Sequence, residues 1–461
     1  MKLNPLIIAG LLLLAAPCVL PTPGAMSDPA WLALGLTLAM ALWWLTEALP
    51  LPATALLPLA VAPLLGLAEL ETVARSYSDP LVILFLGGFL IAKAIERSFL
   101  HRRIAGLLLG FAGTSPQRIL GAIMLTTAFL SLWISNTASA MVVAPIAAAI
   151  ASSQSNQADF RAALMLGVAF AATIGGMGSL IGTPPNAIFA AYVSEAYGVN
   201  VGFAQWAAVG IPVALVLLLV AWLMLAWISP RFSRVPLDLS YRHEQAGMEP
   251  PERRVAIVAG LTALAWLFRP VIDTLFPMVS VSDAGIAMIA ALTLFVLPDG
   301  KGGRLLDWDT AVSLRWDVLI LFGGGLALAG ILQQSDLAAW IGGGVQLIAD
   351  WPRLTVLLIV AALIVYVGEL ASNTAMAAIF LPIAGGMATG LDTDPVAFML
   401  PIALAASIGF MLPVATPPNA IVFANPAVTR SNMLRAGALL DPVAILVTVA
   451  LTSVLGPLVL G

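Results

Sequence analysis

The sequence predicts an all-α polytopic membrane protein with about 11 transmembrane helices, arranged as two inverted five-helix repeats, each holding a re-entrant hairpin and a discontinuous helix. Three observations predict it: an apolar composition, a one-sided distribution of Lys and Arg, and motifs that recur in the same order further along the chain. Of 461 residues, 61% are hydrophobic and 10% charged, against about 45–50% and about 25% in soluble domains. With a mean hydropathy of +1.02, the chain lacks the polar surface that a soluble globule needs. It also carries 39 Gly and 32 Pro, a density that in membrane helices points to deliberate breaks. A single cysteine, Cys18, excludes an intrachain disulfide, and two histidines, His101 and His243, argue against a His-rich metal site. The net charge of −4 and the lack of any Lys/Arg-dense block argue against nucleic acid as a partner.

A bilayer core of about 30 Å takes about 20 apolar residues per helix. Runs of that kind lie at 5–22, 29–48, 51–68, 80–96, 205–228, 253–272, 283–298, 315–333 and 436–460. The first run has an alternative reading as a signal peptide, because Lys2 precedes it and Ala15-Ala16-Pro17-Cys18 resembles a lipoprotein cleavage site. Pro17 beside Cys18 is poor for cleavage and more membrane follows, so a retained helix, 1–28 with its loop, is favoured.

Two longer apolar regions, 116–203 and 353–425, resist division into simple spans. Each is read as a re-entrant hairpin (about 116–150 and about 353–388) followed by a broken helix (about 160–193 and about 395–425). With a cytoplasmic N-terminus and the remaining segments crossing, only Arg75, Arg269 and Arg353 of the 20 Lys and Arg fall outside, leaving 17 inside. That is the asymmetry the positive-inside rule requires. The rest of the chain divides into repeat 1 (29–228), a cytoplasmic linker (229–252) and repeat 2 (253–461), with the C-terminus periplasmic.

The repeat itself is visible in three matched pairs. Leu84-Phe85-Leu86-Gly87-Gly88-Phe89 returns as Leu321-Phe322-Gly323-Gly324-Gly325-Leu326, and Ser135-Asn136-Thr137 as Ser372-Asn373-Thr374, both at a shift of 237. Thr183-Pro184-Pro185-Asn186-Ala187-Ile188 returns as Thr416-Pro417-Pro418-Asn419-Ala420-Ile421 at a shift of 233. Short apolar words recur by chance in membrane proteins, but a collinear pair of polar motifs is hard to obtain that way. Five crossings per repeat, an odd number, give the repeats opposite orientation. This is the inverted-repeat plan of secondary transporters, with a site near the midplane.

The motifs suggest their chemistry. Ser, Asn and Thr are poor inside helices and good N-caps, so Ser131–Thr137 reads as a hairpin turn with a new helix starting near Ala138. Such a turn offers hydroxyls, an amide and N–H groups at a positive helix end, which suit a carboxylate. In Gly182-Thr183-Pro184-Pro185 the prolines break the helix and free carbonyls, and free carbonyls with Ser and Asn oxygens suit an alkali cation. The alternative is that these polar groups only satisfy one another at helix contacts. Across 131–150, 171–190 and 405–425 there is no Lys, Arg, His, Asp or Glu. An anionic substrate would therefore need mobile cations as countercharge, which favours symport over exchange. Glu369, three residues before Ser372, is an intramembrane carboxylate and so a functional candidate, or a hydrogen-bonded neutral group in the hairpin.

These residues resemble the divalent anion/sodium symporter (DASS) family of dicarboxylate and citrate transporters. Two Ser-Asn-Thr tips, two Thr-Pro-Pro-Asn breaks and the stretch Ala406–Val422 carry the resemblance, which covers essentially the whole chain. It implies a homodimer in the bacterial inner membrane, working as an elevator, with no cofactor and with sodium as the coupling ion. By this resemblance one sodium site uses Ser131, Ser135, Asn136 and Gly182, and the other Gly368, Ala371, Asn373 and Ala415. Substrate carboxylates would meet Ser135, Asn136, Thr137, Ser372, Asn373 and Thr374, with Thr183, Pro184, Thr416 and Pro417 closing the pocket. The expected function is sodium-coupled symport of succinate, fumarate or malate. The alternatives within transport are a dicarboxylate exchanger or a citrate or sulfate carrier. A channel or an intramembrane enzyme are alternatives of other classes; no nucleophile–base pair or acidic metal cluster lies in any span to support the latter.

Overall fold

The computed structural model describes residues 4–24, 26–110, 115–152, 158–228, 247–275, 281–345 and 350–460. Among them are 22 helices, one isolated bridge between Pro298 and Arg304, and no strand. Lys2, Arg231, Arg234, Arg242 and most of the expected linker lie outside the described residues.

The chain opens with α1 (Pro5–Val19) and α2 (Asp28–Thr46), which pack on each other. Pro5 and Pro29 sit in the first turns, where a missing N–H costs nothing, and the Asn4 and Ser27 side chains cap those turns. The expected span 51–68 is instead two short helices, α3 (Leu51–Thr54) and α4 (Leu57–Leu64). Pro52, Pro58 and Pro63 divide it more finely than its hydropathy suggests. After α5 (Leu70–Ser76), α6 (Pro80–Arg97) matches its expected span, and α7 (Leu100–Leu109) adds an amphipathic helix that no span predicted.

Both complex regions have the expected form. Helices α8 (Pro116–Ser131) and α9 (Asn136–Ser152) make the first hairpin. The second arm starts at Asn136, two residues before the expected Ala138. A broken pair follows, α10 (Ala158–Met177) and α11 (Pro184–Tyr197), then α12 (Phe203–Ile228). The second half runs α13 (Pro250–Leu275), α14 (Asp283–Val296), α15 (Trp308–Val312), α16 (Trp316–Gln334) and α17 (Leu337–Val345). Its hairpin is α18 (Arg353–Gly368) with α19 (Asn373–Gly390), its broken pair α20 (Pro395–Ala405) with α21 (Pro417–Phe423), and its last helix α22 (Arg430–Val459).

The two halves interlock through matched residues. A Cβ on Gly87 of α6 would lie 2.6 Å from Ala287 Cβ of α14, and a Cβ on Gly324 of α16 would lie 2.3 Å from the Ala55 carbonyl beside α3. Gly87 and Gly324 are equivalent at the shift of 237, so each half packs a matched glycine against the other half. Phe85 and Phe322, also equivalent, meet edge to face with ring centroids 4.9 Å apart. A residue touching its own counterpart marks where the axis relating the halves must pass.

The outer surface confirms the solvent. Leu215, Leu219 and Leu223 on α12, and Ile257, Leu261, Leu264 and Phe268 on α13, are large apolar side chains exposed in rows three or four residues apart. Soluble monomers do not leave such stripes uncovered. Seven helical segments among the described residues are long and apolar enough to cross a membrane.

Candidate functional site

The site is built from the two hairpin turns and the two helix breaks. Thr183 and Thr416 stand at the second half of each break in nearly the same extended conformation, φ/ψ of −143°/143° and −141°/149°, with two prolines opening the following helix. The Thr416 hydroxyl accepts the Asn419 N–H (3.3 Å). Each break is then closed by an asparagine. Asn186 Nδ2 donates to the carbonyls of Gly176 (3.0 Å) and Ser179 (2.8 Å), and Asn419 Nδ2 to those of Gly409 (3.0 Å) and Leu412 (2.9 Å). Some carbonyls expected to be free are therefore already occupied. The motif asparagines hold the shape of the breaks, a role the sequence reading did not assign them.

One cavity of ≈ 3370 Å³ collects the predicted residues. Ser135, Asn136, Thr137, Gly182, Thr183 and Pro184 from the first half, and Ala371, Ser372, Asn373, Thr374, Ala415, Thr416 and Pro417 from the second, all line it. Ser131 and Gly368 do not; both are buried behind the turns. The N-termini of α9, α11, α19 and α21 open on the same cavity, so four positive helix ends face whatever occupies it. Charged side chains line the wall outside the four motifs, at the mouth: Glu47, Lys93, Glu96, Arg102, Arg103, Glu249, Glu252, Lys301 and Arg315. Most are paired: Lys93 with Glu96 (2.9 Å), Arg103 with Glu252 (2.7 Å), Lys301 with Glu249 (2.9 Å) and Arg315 with Asp317 (2.8 Å). The mouth thus opens on a face whose cations all belong to the set the sequence reading assigned to one side.

Behind the first turn, the Ser131 hydroxyl donates to the Ala172 carbonyl (2.6 Å). The Asn136 amide lies 2.7 Å from Ser131 Oγ, 3.2 Å from Ala172 O and 3.3 Å from Gly182 O. Turned with its nitrogen inward it donates to all three; turned with its oxygen inward it completes a cluster of four oxygens. Such a cluster suits a hard cation. The glycines are required here, since a Cβ on Gly176 would fall 2.3 Å from Asn136 Oδ1 and one on Gly182 2.5 Å from Gly176 O.

At the second turn Ala371, Asn373 and Ala415 line the cavity and Gly368 is buried behind it, and of these four only Asn373 carries a side-chain oxygen. Asn373 Nδ2 donates to the Ser407 carbonyl (3.3 Å), and its oxygen is buried without a partner. Glu369, 3% exposed, is hydrogen-bonded in the hairpin turn: its two oxygens accept the N–H groups of Met411 (2.9 Å) and Leu412 (2.8 Å). Asp441 of α22, which the sequence reading passed over, accepts the Phe410 N–H (3.3 Å).

An aromatic stack covers the first turn. Trp133 at the first turn stacks on Phe203 (6.2 Å between centroids), which stacks on Trp266 (4.8 Å). Leu370 and Val414, the counterparts of Trp133 and Ile181 at the shifts of 237 and 233, are 72% and 74% exposed. The first turn is thus packed against aromatic rings, while its counterpart at Leu370 is open to the cavity.

A helical membrane protein with paired hairpins and paired helix breaks around one cavity has the architecture of a secondary transporter. The family described as the sodium:sulfate symporter transmembrane region matches residues 2–460, and the chain belongs to that family. It is 37% identical to the sodium-dependent dicarboxylate transporter SdcS of Staphylococcus saprophyticus, over 99% of this chain and 92% of that one. To SdcS of Staphylococcus aureus (strain USA300) it is 35% identical, over 100% and 91%. Among solved structures, the Alcanivorax borkumensis YdaH transporter shares the fold, with a TM-score of 0.59 at 14% identity over 92% of this chain and 99% of that one.

Proposed function

We propose that the protein imports four-carbon dicarboxylates such as succinate, fumarate or malate across the bacterial inner membrane by symport with sodium. The observation that carries this reading is that two matched turns and two matched breaks meet in one cavity, and that the stretches 131–150, 171–190 and 405–425 that bring them there carry no ionisable side chain. A dianion there is met by helix N-termini, hydroxyls and amides, and its remaining charge has to be balanced by cations that travel with it. The relatives named sodium-dependent dicarboxylate transporter support the choice of both ions.

Ser135, Asn136, Thr137, Ser372, Asn373 and Thr374 hold the carboxylates, and Thr183, Pro184, Thr416 and Pro417 close the pocket. Sodium is cotransported cargo. One ion takes Ser131, Ser135, Asn136 and Gly182, the other Gly368, Ala371, Asn373 and Ala415. The orphan oxygen of Asn373 and the oxygen cluster at Asn136 suit that assignment.

Repeats 29–228 and 253–461 have opposite orientation, with the N-terminus cytoplasmic and the C-terminus periplasmic. The cavity then faces the cytoplasm, and an elevator movement of both hairpins and both broken helices, in each protomer of a homodimer, would carry the site to the other side. Uptake of labelled succinate into proteoliposomes tests the reading: an inward sodium gradient should drive accumulation, and equal uptake without sodium would refute it.

A further inference from the structure

The two halves tie hairpin to break at equivalent positions with different chemistry. In the first half Ser179 Oγ donates to the Leu132 carbonyl (2.6 Å). The equivalents of Leu132 and Ser179, at the shifts of 237 and 233, are Glu369 and Leu412, and there the Leu412 N–H donates to Glu369 Oε2 (2.8 Å). A neutral side-chain-to-backbone bond in one half is thus replaced by a buried carboxylate in the other.

The reason lies in how far each helix unwinds. In the first half α10 continues to Met177, whose equivalent at the shift of 233 is Phe410, yet α20 ends at Ala405, five residues sooner. The Gly178 N–H, still in the last turn after α10, bonds the Gly175 carbonyl (3.0 Å), whereas its equivalent at Met411 has lost that partner. Three successive N–H groups, on Phe410, Met411 and Leu412, are left over, and Asp441 and Glu369 accept all of them. An unpaired N–H inside a membrane is costly, so the longer break depends on these acids. Unwinding also frees backbone carbonyls, in the half where Gly368 stands at the position of Ser131 and offers no hydroxyl there.

We infer that Glu369 is a positioning residue for the second cation site: it clamps the turn at 369–372 to the unwound 406–416 stretch, so that Gly368, Ala371, Asn373 and Ala415 converge only while that carboxylate holds the Met411 and Leu412 amides. This rests on the assignment of those four residues as the second sodium site. Losing one of these two hydrogen bonds loosens the turn that presents the cation ligands and should weaken sodium binding about tenfold.

The test is sodium activation of labelled succinate uptake by the full-length protein in proteoliposomes. In Glu369→Gln the amide presents a donor to one of two N–H groups. The sodium concentration for half-maximal uptake should rise about tenfold with reduced sigmoidicity, while KM for succinate at saturating sodium stays near wild type. A merely structural role would lower the amount of active carrier and leave the sodium dependence where it was; that result overturns the inference. Should the glutamine variant fail to reach the membrane, Glu369→Asp keeps the charge but is too short to span both amides, and the same shift, smaller, is expected; an unshifted curve counts against the inference. Asn373→Ala separates the clamp from the site it positions. If Asn373→Ala raises the sodium requirement and neither Glu369 variant does, the clamp is wrong and the site stands; if Asn373→Ala also leaves sodium activation unchanged, the site assignment itself fails.

Discussion

Asn186 and Asn419, 233 positions apart, make the same pair of hydrogen bonds: each amide nitrogen reaches the carbonyls ten and seven residues upstream, at 3.0 and 2.8 Å in one case and 3.0 and 2.9 Å in the other. Both side chains are fully buried. Interrupting a helix inside a bilayer leaves carbonyls that no water can reach, and one amide per break repairs two of them. Asn186→Ala and Asn419→Ala should each destabilise the protein by about 1–3 kcal/mol, read as a lower midpoint of thermal unfolding in detergent. Equal stability of either variant with wild type would mean the breaks hold without that bond.

The first sodium cluster depends on Asn136 as an oxygen donor. Asn136→Ala should raise the sodium needed for half-maximal succinate uptake about tenfold, with the helix content intact by circular dichroism. Wild-type sodium activation would remove Asn136 from the cation shell.

Interlocking of the halves can be tested at the matched glycines. Gly87→Val or Gly324→Val drives a side chain into Ala287 or Ala55, whose backbone cannot retreat, at a cost of about 1–3 kcal/mol or more. Folded, detergent-stable protein should fall sharply in both. Gly106→Ala, where nothing lies within 4 Å of the added Cβ, should behave as wild type.

The unequal cover of the two turns predicts labelling. In a Cys18→Ser background, Leu370→Cys should react readily with a membrane-impermeant maleimide applied from the side bearing Lys93, Arg102 and Lys301, and slowly from the other. Trp133→Cys, its counterpart, sits in the aromatic stack with Phe203 and should be slower from that face. Equal rates at both positions would contradict the aromatic cover of the first turn.

Much of this was legible in the sequence because the breaks are written in local chemistry. Ser-Asn-Thr cannot continue a helix comfortably and Thr-Pro-Pro-Asn cannot continue one at all, so the turns at 132–135 and 369–372 and the interruptions before Pro184 and Pro417 were visible from single words. The span at 51–68 was misjudged because hydropathy averages over Pro52, Pro58 and Pro63. Helix α7 was missed because its Arg102 and Arg103 make it too polar to count as a span. The ties made by Glu369, Asp441, Asn186 and Asn419 depend on backbone groups that become unpaired only after the helices unwind. Glu369 meets Met411 and Leu412 across 42 and 43 residues, and no local pattern announces such a partner.

The motif stretches that line the cavity carry no ionisable side chain, so a dianion there has to move with sodium beside it. Coupling is reciprocal, so the most direct test reverses the usual experiment. Proteoliposomes with equal sodium on both sides receive labelled sodium and an inward succinate gradient. Net accumulation of labelled sodium above equilibrium is expected, with at least two sodium ions entering per succinate as charge neutrality requires. Succinate entering down its gradient while labelled sodium stays at equilibrium would contradict it.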